Sequence, residues 1–323
     1  MVDVLLATYN GERFLREQID SILAQSYAPL GILARDDGST DTTVEILSEY
    51  EQRFPNRFRV LRSGESTGSA KWNFIRLLEA SASPYACLAD QDDVWKQDKV
   101  RESMAAMHRL EETHGSEAPL LVFSDLEVVD DALRPLYPSF WRLQRIAPGN
   151  IHRFERLLTQ NVLTGCTALL NRRLARLSVR MTDDAFMHDG WIALIASAMG
   201  GAAYLNEPTV LYRQHASNVV GVQKAKRASL FPRWRYHDKR RAQWERSELQ
   251  GAALLRAFGG ELPERALKLL RAYSVCEASP SRVKRVWTLL RHRFFVNALR
   301  PNLAILWYLW DMDAAKRSDL KQP

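Results

Sequence analysis

Three aspartates fall within four positions in the run Ala89-Asp90-Gln91-Asp92-Asp93-Val94-Trp95, directly after the apolar stretch Tyr85-Ala86-Cys87-Leu88. Carboxylates crowded at the end of an apolar strand repel one another unless a cation neutralises them. In an extended segment alternate side chains share a face, so Asp90 and Asp92 are expected to offer oxygens to one hard divalent metal. A metal held in this way suits a phosphate. The competing reading is a solvated acidic turn, and both the apolar strand before the run and Trp95 after it weigh against that.

The elements that must position this run follow a regular alternation. Residues 3–8 form a short apolar stretch ended by Tyr9-Asn10-Gly11, after which Phe14, Ile19, Ile22 and Leu23 recur near helical spacing. Residues 30–34 repeat the pattern, with Asp36-Asp37-Gly38-Ser39-Thr40-Asp41 as the loop and residues 42–54 as an amphipathic helix. A third unit has a strand over 59–62, a loop over 64–69 and a helix over 71–82, and a fourth strand over 85–89 delivers the acidic run. Such alternation predicts an α/β fold with a mostly parallel sheet flanked by helices. Ligands of these sheets bind at the carboxyl ends of the strands, where Tyr9-Asn10, Asp36-Asp37 and residues 90–93 would converge. Further on, residues 120–123 with Ser124-Asp125 read as a strand ending in an acid, 165–170 as strand-like, 189–199 as a helix, and 202–205 and 209–212 as strands. No G-x-G-x-x-G follows the first strand, and residues 64–71 have glycines and a lysine at the wrong spacing for a Walker loop.

Composition narrows the classes. Three widely separated cysteines, Cys87, Cys166 and Cys276, argue against a disulfide framework or a zinc site and fit a reducing cytosolic compartment. The amino terminus lacks the basic start and apolar length of a signal peptide, and the longest apolar runs fall short of the roughly 20 residues that span a bilayer. The net charge of +7 is unevenly distributed: residues 222–323 carry 22 Lys and Arg against 9 Asp and Glu, while residues 1–221 carry more acids than bases. An acidic ligand-binding domain, 1–221, followed by a basic region, 222–323, made for an anionic partner is the expected organisation.

The segments Ala7-Thr8-Tyr9-Asn10-Gly11, Asp36-Asp37-Gly38-Ser39-Thr40-Asp41, Asp90-Gln91-Asp92-Asp93-Val94-Trp95, Asn161-Val162-Leu163-Thr164-Gly165-Cys166, His188-Asp189-Gly190-Trp191 and Tyr212-Arg213-Gln214-His215 occur in this order. Together they resemble family-2 glycosyltransferases of the GT-A fold, in particular the bacterial rhamnosyltransferase-like branch that assembles surface polysaccharides. The resemblance covers residues 3 to about 221 and implies an inverting transferase using a UDP- or dTDP-type sugar donor and Mg or Mn. It places Thr8, Tyr9 and Asn10 with Asp36 and Asp37 on the nucleotide, Asp90 and Gln91 on the ribose side, Asp92 on the metal, and Asp93 in support. Asp189 falls at the position of the base that takes the acceptor hydroxyl's proton. Asn161, Thr164, Gly165, His188 and Trp191 fall on the acceptor side, and Lys71 and Asn73 near the leaving group. His215 is expected to reach the metal or diphosphate, the alternative being an ordinary histidine packed beside Tyr212, and Arg213 to clamp a phosphate. For Asp36 to Asp41 the alternative is an Asx turn with Asp41 capping the next helix, and for Asp189 it is a helix N-cap.

In the basic region Lys224-Ala225-Lys226-Arg227, Arg233-Trp234-Arg235-Tyr236 and Lys239-Arg240-Arg241 interleave cations with aromatics. Val283, Trp287, Leu290 and Phe294 recur at spacings of four, three and four, which makes an amphipathic basic helix. That helix suits either an anionic membrane surface, where a lipid-linked or other glycan acceptor would wait, or packing on the catalytic domain. Cytoplasmic placement, peripheral to the inner face of the membrane, goes with the first. Rival classes are a nucleic-acid-binding protein that uses the basic region, a catalytically inactive sugar-nucleotide-binding relative, and a nucleotidyltransferase on the same fold. Neither nucleic acid as a partner nor nucleotidyl transfer is expected, the latter for want of a glycine- and arginine-rich amino-terminal signature.

Overall fold

A computed structural model describes residues 1–62, 65–215 and 233–311. The first half alternates as expected: β1 (Val2–Thr8), α1 (Leu15–Leu23), β2 (Leu30–Asp36), α2 (Thr43–Arg53), β3 (Phe58–Val60), α3 (Ala70–Ala80) and β4 (Tyr85–Asp90). Then come β5 (Val94–Trp95), α4 (Lys99–His114), β6 (Leu120–Val129), β7 (Pro135–Tyr137), α5 (Phe140–Gln144) and α6 (Phe154–Leu157). The chain continues through β8 (Leu169–Asn171), α7 (Arg172–Ser178), α8 (His188–Met199) and β9 (Gly201–Arg213). Among the described residues four helices follow: α9 (Arg233–Phe258), α10 (Glu264–Ala278), α11 (Arg282–His292) and α12 (Leu299–Asp311).

The strands make one sheet in the order β3-β2-β1-β4-β8-β6-β9-β5, with β7 beside β6. Its first four members, β3, β2, β1 and β4, are parallel, with Thr8 opposite Asp36 and Ala7 opposite Asp90. Beyond them the sheet is mixed: β8 runs antiparallel to β4 and to β6, while β6 and β9 are parallel. Alternation along β1 sends Val2, Val4 and Leu6 to one face and Leu5 to the other. The first face packs on α1, α2 and α4 through Ile19, Ile22, Leu47, Met104 and Met107. The second packs on α3, α7 and α8, and its cluster runs on without a break into Phe258, Tyr273, Phe294 and Leu309 of the carboxy-terminal helices.

Three expectations are revised. The strand over Ser124-Asp125 does not end there; Asp125 is buried within β6 and its carboxylate accepts from the Trp141 amide at 3.0 Å and from the Ser139 hydroxyl, fixing α5. The two strands over 202–205 and 209–212 are one long strand, β9. On α11, Val283, Trp287 and Leu290 point outward, whereas Arg285, Thr288 and Leu289 face the protein and Phe294 lies buried just past the helix end. Lys224 to Arg227 and the expected boundary at residue 221 lie outside the described residues. Among those described, no helix is long and apolar enough to cross a membrane.

Candidate active site

The carboxyl ends of β1, β2 and β4 meet because these strands are in parallel register, and their loops are then tied by side chains. The Thr8 hydroxyl donates to Asp36 Oδ1 at 2.9 Å, and the Gly38 and Ser39 amides donate to Asp36 Oδ2 at 3.0 and 2.7 Å. Asp36 therefore builds an Asx turn at the lip of the site. Asp41 accepts from the Thr43 amide at the start of α2 at 3.0 Å. Asn10, at φ 48, accepts from the Thr40 amide at 2.8 Å, and Gln91 clasps the Tyr9 backbone with bonds of 2.7 and 2.8 Å. A side chain at Gly11 would sit 2.3 Å from Gln91 Oε1, so glycine lets this clasp close. Tyr9 itself is 56% exposed above the strand ends, free to lie against a flat ring.

Asp37 and Asn73, expected on the nucleotide, serve the fold instead. Asp37 is buried, paired with Arg35 at 2.9 Å and bonded by the Thr67 amide at 2.6 Å. Burial pushes its pKa up, but the bonds from Thr67 and Arg35 outweigh that and hold it below the usual carboxylate range. Asn73 spends its amide on Arg35 and on the Thr8 and Arg35 carbonyls, closing the gap between β1 and β2. Lys71 donates to the Asp183 and Ala185 carbonyls, both at 2.8 Å, and so tethers the loop that leads into α8. A cleft of about 940 Å³ lined by Arg35, Thr67, Trp72, Arg76 and Asp183 opens beside these residues, but it contains none of the acidic run.

The acidic run is divided by a turn at Gln91 and Asp92, so the expected common face for Asp90 and Asp92 does not form. Asp90 groups with Asp93 and Cys166, whose ligand atoms lie within 4.8 Å of one another. Asp92 swings to His215, with Oδ2 2.8 Å from Nε2. Burial, and then repulsion from Asp92, raise Asp90 and Asp93 above the usual carboxylate range, and burial raises the Cys166 thiol as well. A protonated thiol is a poor donor to a hard cation, so the oxygens and His215 are the groups that fit Mg or Mn. Asp93 Oδ2 is fully buried without a hydrogen-bond partner among the described residues, as are both ring nitrogens of His188.

Arg213, expected to clamp a phosphate, is instead turned into the protein. Its guanidinium is buried and bonds the Asp92 carbonyl at 2.9 Å, Glu17 of α1 at 2.5 Å and the Asp131 carbonyl, while its amide donates to Asp93 at 3.3 Å. It is the fastener of the acidic loop. Behind the loop lies buried Lys99, its Nζ 4.5 Å over the Trp95 ring and 3.3 Å from the Thr167 carbonyl. Burial lowers its pKa, against the pull of Cys87, Cys166 and Asp93. Gln18, also buried, donates to the Asp90 carbonyl at 2.7 Å.

The second half of the chain contributes the other wall. Asp189 stands in the first turn of α8, where the Gly190 amide donates to it at 2.6 Å and the Asn161 amide also bonds it. Burial raises its pKa to about 6, with those bonds opposing. Its charge is felt by Asp90, about a hundred residues earlier in the chain. Asn161 also braces its own loop through Leu163, and the Thr164 carbonyl caps the turn that carries Cys166 by accepting from Thr167. His188 is buried against Phe74 at 4.3 Å and is kept neutral by burial, its pKa lowered to about 3. A Cβ on Gly165 would come within 2.7 Å of His188 Nε2, so that position admits only glycine without displacement. Trp191, expected on the acceptor side, is instead core: it is fully buried, bonded to the Ser178 carbonyl at 3.0 Å and packed on Phe258.

Residues 3–177 match the family model of Glycosyl transferase family 2. The chain belongs to that family. It is similar to the dTDP-rhamnosyl transferase RfbG of Shigella flexneri, with 28% identity over 227 residues, 67% of this chain and 73% of the relative. Among solved structures it is similar to S. aureus TarS 1-349 in complex with UDP-GlcNAc, at a TM-score of 0.53 and 13% identity over 98% of this chain and 92% of that one. The complex of the same TarS segment with UDP gives a TM-score of 0.51. These likenesses are of fold: the curled, open sheet flanked by helices is the GT-A type. Within this glycosyltransferase the matched region holds the three strand-end loops and Cys166, while Asp189, Arg213 and His215 lie beyond it.

Proposed function

We propose that this glycosyltransferase moves a sugar, with inversion, from a dTDP- or UDP-type donor to a hydroxyl of a glycan or lipid-linked acceptor in bacterial surface polysaccharide synthesis, as in O-antigen, capsule or lipopolysaccharide. Similarity to a dTDP-rhamnosyl transferase favours a rhamnosyl donor. The observation that carries the reading is the nearness of Asp189 to the acidic run: the first turn of α8 brings its carboxylate, raised to about 6 by burial, close enough for its charge to act on Asp90.

Tyr9 lies against the base and the lip formed by Asp36 and Thr8 borders it, with Asp90 toward the ribose. Asp92 and His215 would hold a divalent metal, with Asp93 in support. The metal, when bound, neutralises the diphosphate leaving group. Asp189, ionised, takes the proton of the acceptor hydroxyl; that oxygen attacks the anomeric carbon from the face opposite the diphosphate, and the carbon–phosphate-oxygen bond breaks. Its place in the first turn of α8 favours the ionised form, and a pKa near the working pH suits a general base. His188 stays neutral and Gly165 keeps it seated between the donor and acceptor sides.

The test is a panel of UDP-, dTDP- and GDP-sugars measured for thermal stabilisation of the full chain with and without Mn, followed by transfer from the donor that stabilises. Metal-dependent stabilisation by a dTDP- or UDP-sugar and a product of inverted anomeric configuration are expected. Stabilisation by none of the donors, or a product of retained configuration, overturns the proposal.

A further inference from the structure

On α11 the exposed residues Val283, Trp287 and Leu290, 67, 56 and 50% exposed, follow one another at i, i+4 and i+7. On α12 Leu303, Trp307 and Trp310, 55, 54 and 48% exposed, repeat that spacing. A helix carries such a triplet on a single face. The two helices pack on each other, and their inward sides are filled by Arg285, Thr288 and Leu289 on α11 and by Ile305, Tyr308 and Leu309 on α12. On α11 this inverts the usual arrangement, because an arginine and a threonine are buried while a tryptophan stands in solvent. Every exposed tryptophan among the described residues belongs to this helix pair.

The charges around the stripe have one sign. Residues 278–310 contain six Lys and Arg and no Asp or Glu. Arg282, Lys284, Arg291 and Arg293 are exposed beside the stripe, and the Arg291 guanidinium lies 5.0 Å over the Trp287 ring. A second copy of the chain would set cations against cations across such a face, whereas interfaces between copies deplete charge at their centre. Nucleic acid would match the cations but leave Val283, Leu290 and Leu303 against a polar backbone. A bilayer of anionic lipid matches both: aliphatic and indole groups enter the boundary below the headgroups, where tryptophan is favoured, and the flanking Arg and Lys meet the headgroup charge.

We propose that α11 and α12 form a docking face by which the protein lies on an anionic membrane surface. The proposal stands on these two helices and is independent of the sugar-transfer reading.

The experiment is flotation of the full chain with vesicles of equal parts phosphatidylglycerol and phosphatidylcholine against vesicles of phosphatidylcholine alone, with tryptophan emission recorded alongside. Binding at least about tenfold stronger to the anionic vesicles, weakened by salt and accompanied by a blue shift, is expected. The triple variant Trp287→Ser, Trp307→Ser, Trp310→Ser loses binding and the blue shift but keeps the thermal midpoint of the parent. The charge variant Arg282→Glu, Lys284→Glu, Arg291→Glu loses the preference for anionic lipid. Failure of the parent to float overturns the proposal, as does undiminished flotation of the triple variant. A parent that binds single-stranded RNA but not vesicles, or that dimerises through this face while ignoring vesicles, overturns it as well. Loss of sugar transfer with vesicle binding intact would refute the enzymatic reading alone.

Discussion

Replacing Asp189 by Asn should abolish transfer and at the same time make the protein more stable. Asn keeps the shape of the side chain and an oxygen to accept from the Gly190 amide, but it cannot take a proton. Loss of a positioned general base lowers turnover by roughly 10² to 10⁴, with donor binding nearly intact. The stability gain follows from the pKa. In the unfolded chain the group titrates near 3.8 and in the folded protein near 6, so the folded state binds its proton more tightly. Stability is therefore lost as pH rises through this window, and above it the ionised carboxylate costs the fold about 3 kcal/mol, at roughly 1.4 kcal/mol per pKa unit. Asn removes that cost but weakens the charge-assisted bonds from Gly190 and Asn161, leaving a net gain of about 1–3 kcal/mol. Thermal unfolding of parent and variant from pH 4 to pH 8 reads the effect. The variant should unfold a few degrees higher at pH 7.5, the gap should shrink by about half near pH 5, and it should close at pH 4. In the parent, kcat/KM should fall about tenfold per unit below pH 6. A variant that is no more stable than the parent at pH 7.5, or a gap that does not change with pH, would refute the burial argument. Wild-type turnover in the variant would refute the assignment of the base.

Other perturbations probe the supports of the site. Gly165→Ala forces a methyl group against His188 and should destabilise the fold by about 1–3 kcal/mol, read as a lowered denaturant midpoint with unchanged slope; an unchanged midpoint would mean that His188 can move away at no cost. Arg213→Lys keeps a charge but loses the fork that joins Asp92, Asp131 and Glu17, so donor affinity measured with Mn should drop at least about tenfold, while a shift confined to kcat would contradict the positioning role. His215→Ala should raise the Mn concentration needed for half-maximal donor-induced stabilisation by about tenfold, with little change in the metal-free melting temperature; an unaltered metal requirement would remove His215 from the ligand set.

The strand-end loops were legible because period-two and helical apolar patterns place Tyr9, Asp36 and Asp90 without any long-range knowledge. The expected strands over 30–34 and 85–89 lie within β2 and β4, which end at Asp36 and Asp90. What pattern cannot show is which polar groups consume one another once the strands pair. Asp37, Asn73 and Arg213 looked like ligand contacts because they are polar and lie at the right ends, yet each is bonded by partners 30 or more positions away. The same limit hid Lys99, whose burial behind Trp95 depends on how α4 packs beneath the turn. Cys166 was visible as part of a motif, but its thiol meets Asp90 and Asp93 only through the pairing of β4 with β8. On α11 the apolar spacing was evident, while the side on which that face would lie was decided by Arg285, Thr288 and Leu289.

The fastening of the acidic loop by Arg213 has a consequence for the order of events during synthesis. Among the described residues the strand partners of Val94 and Trp95 are Leu211 and Val210 of β9, and the Asp92 carbonyl and the Asp93 carboxylate accept from Arg213 beside them. A ribosome that has delivered β1 to Trp95 has released all three strand-end loops, with Gln18 and Ser21 of α1 able to hold the Asp90 carbonyl and the Trp95 amide, yet Asp93 meets the Arg213 amide only when β9 arrives some 120 residues later. The acidic loop therefore takes the form described here only once the closing strand has docked beside it.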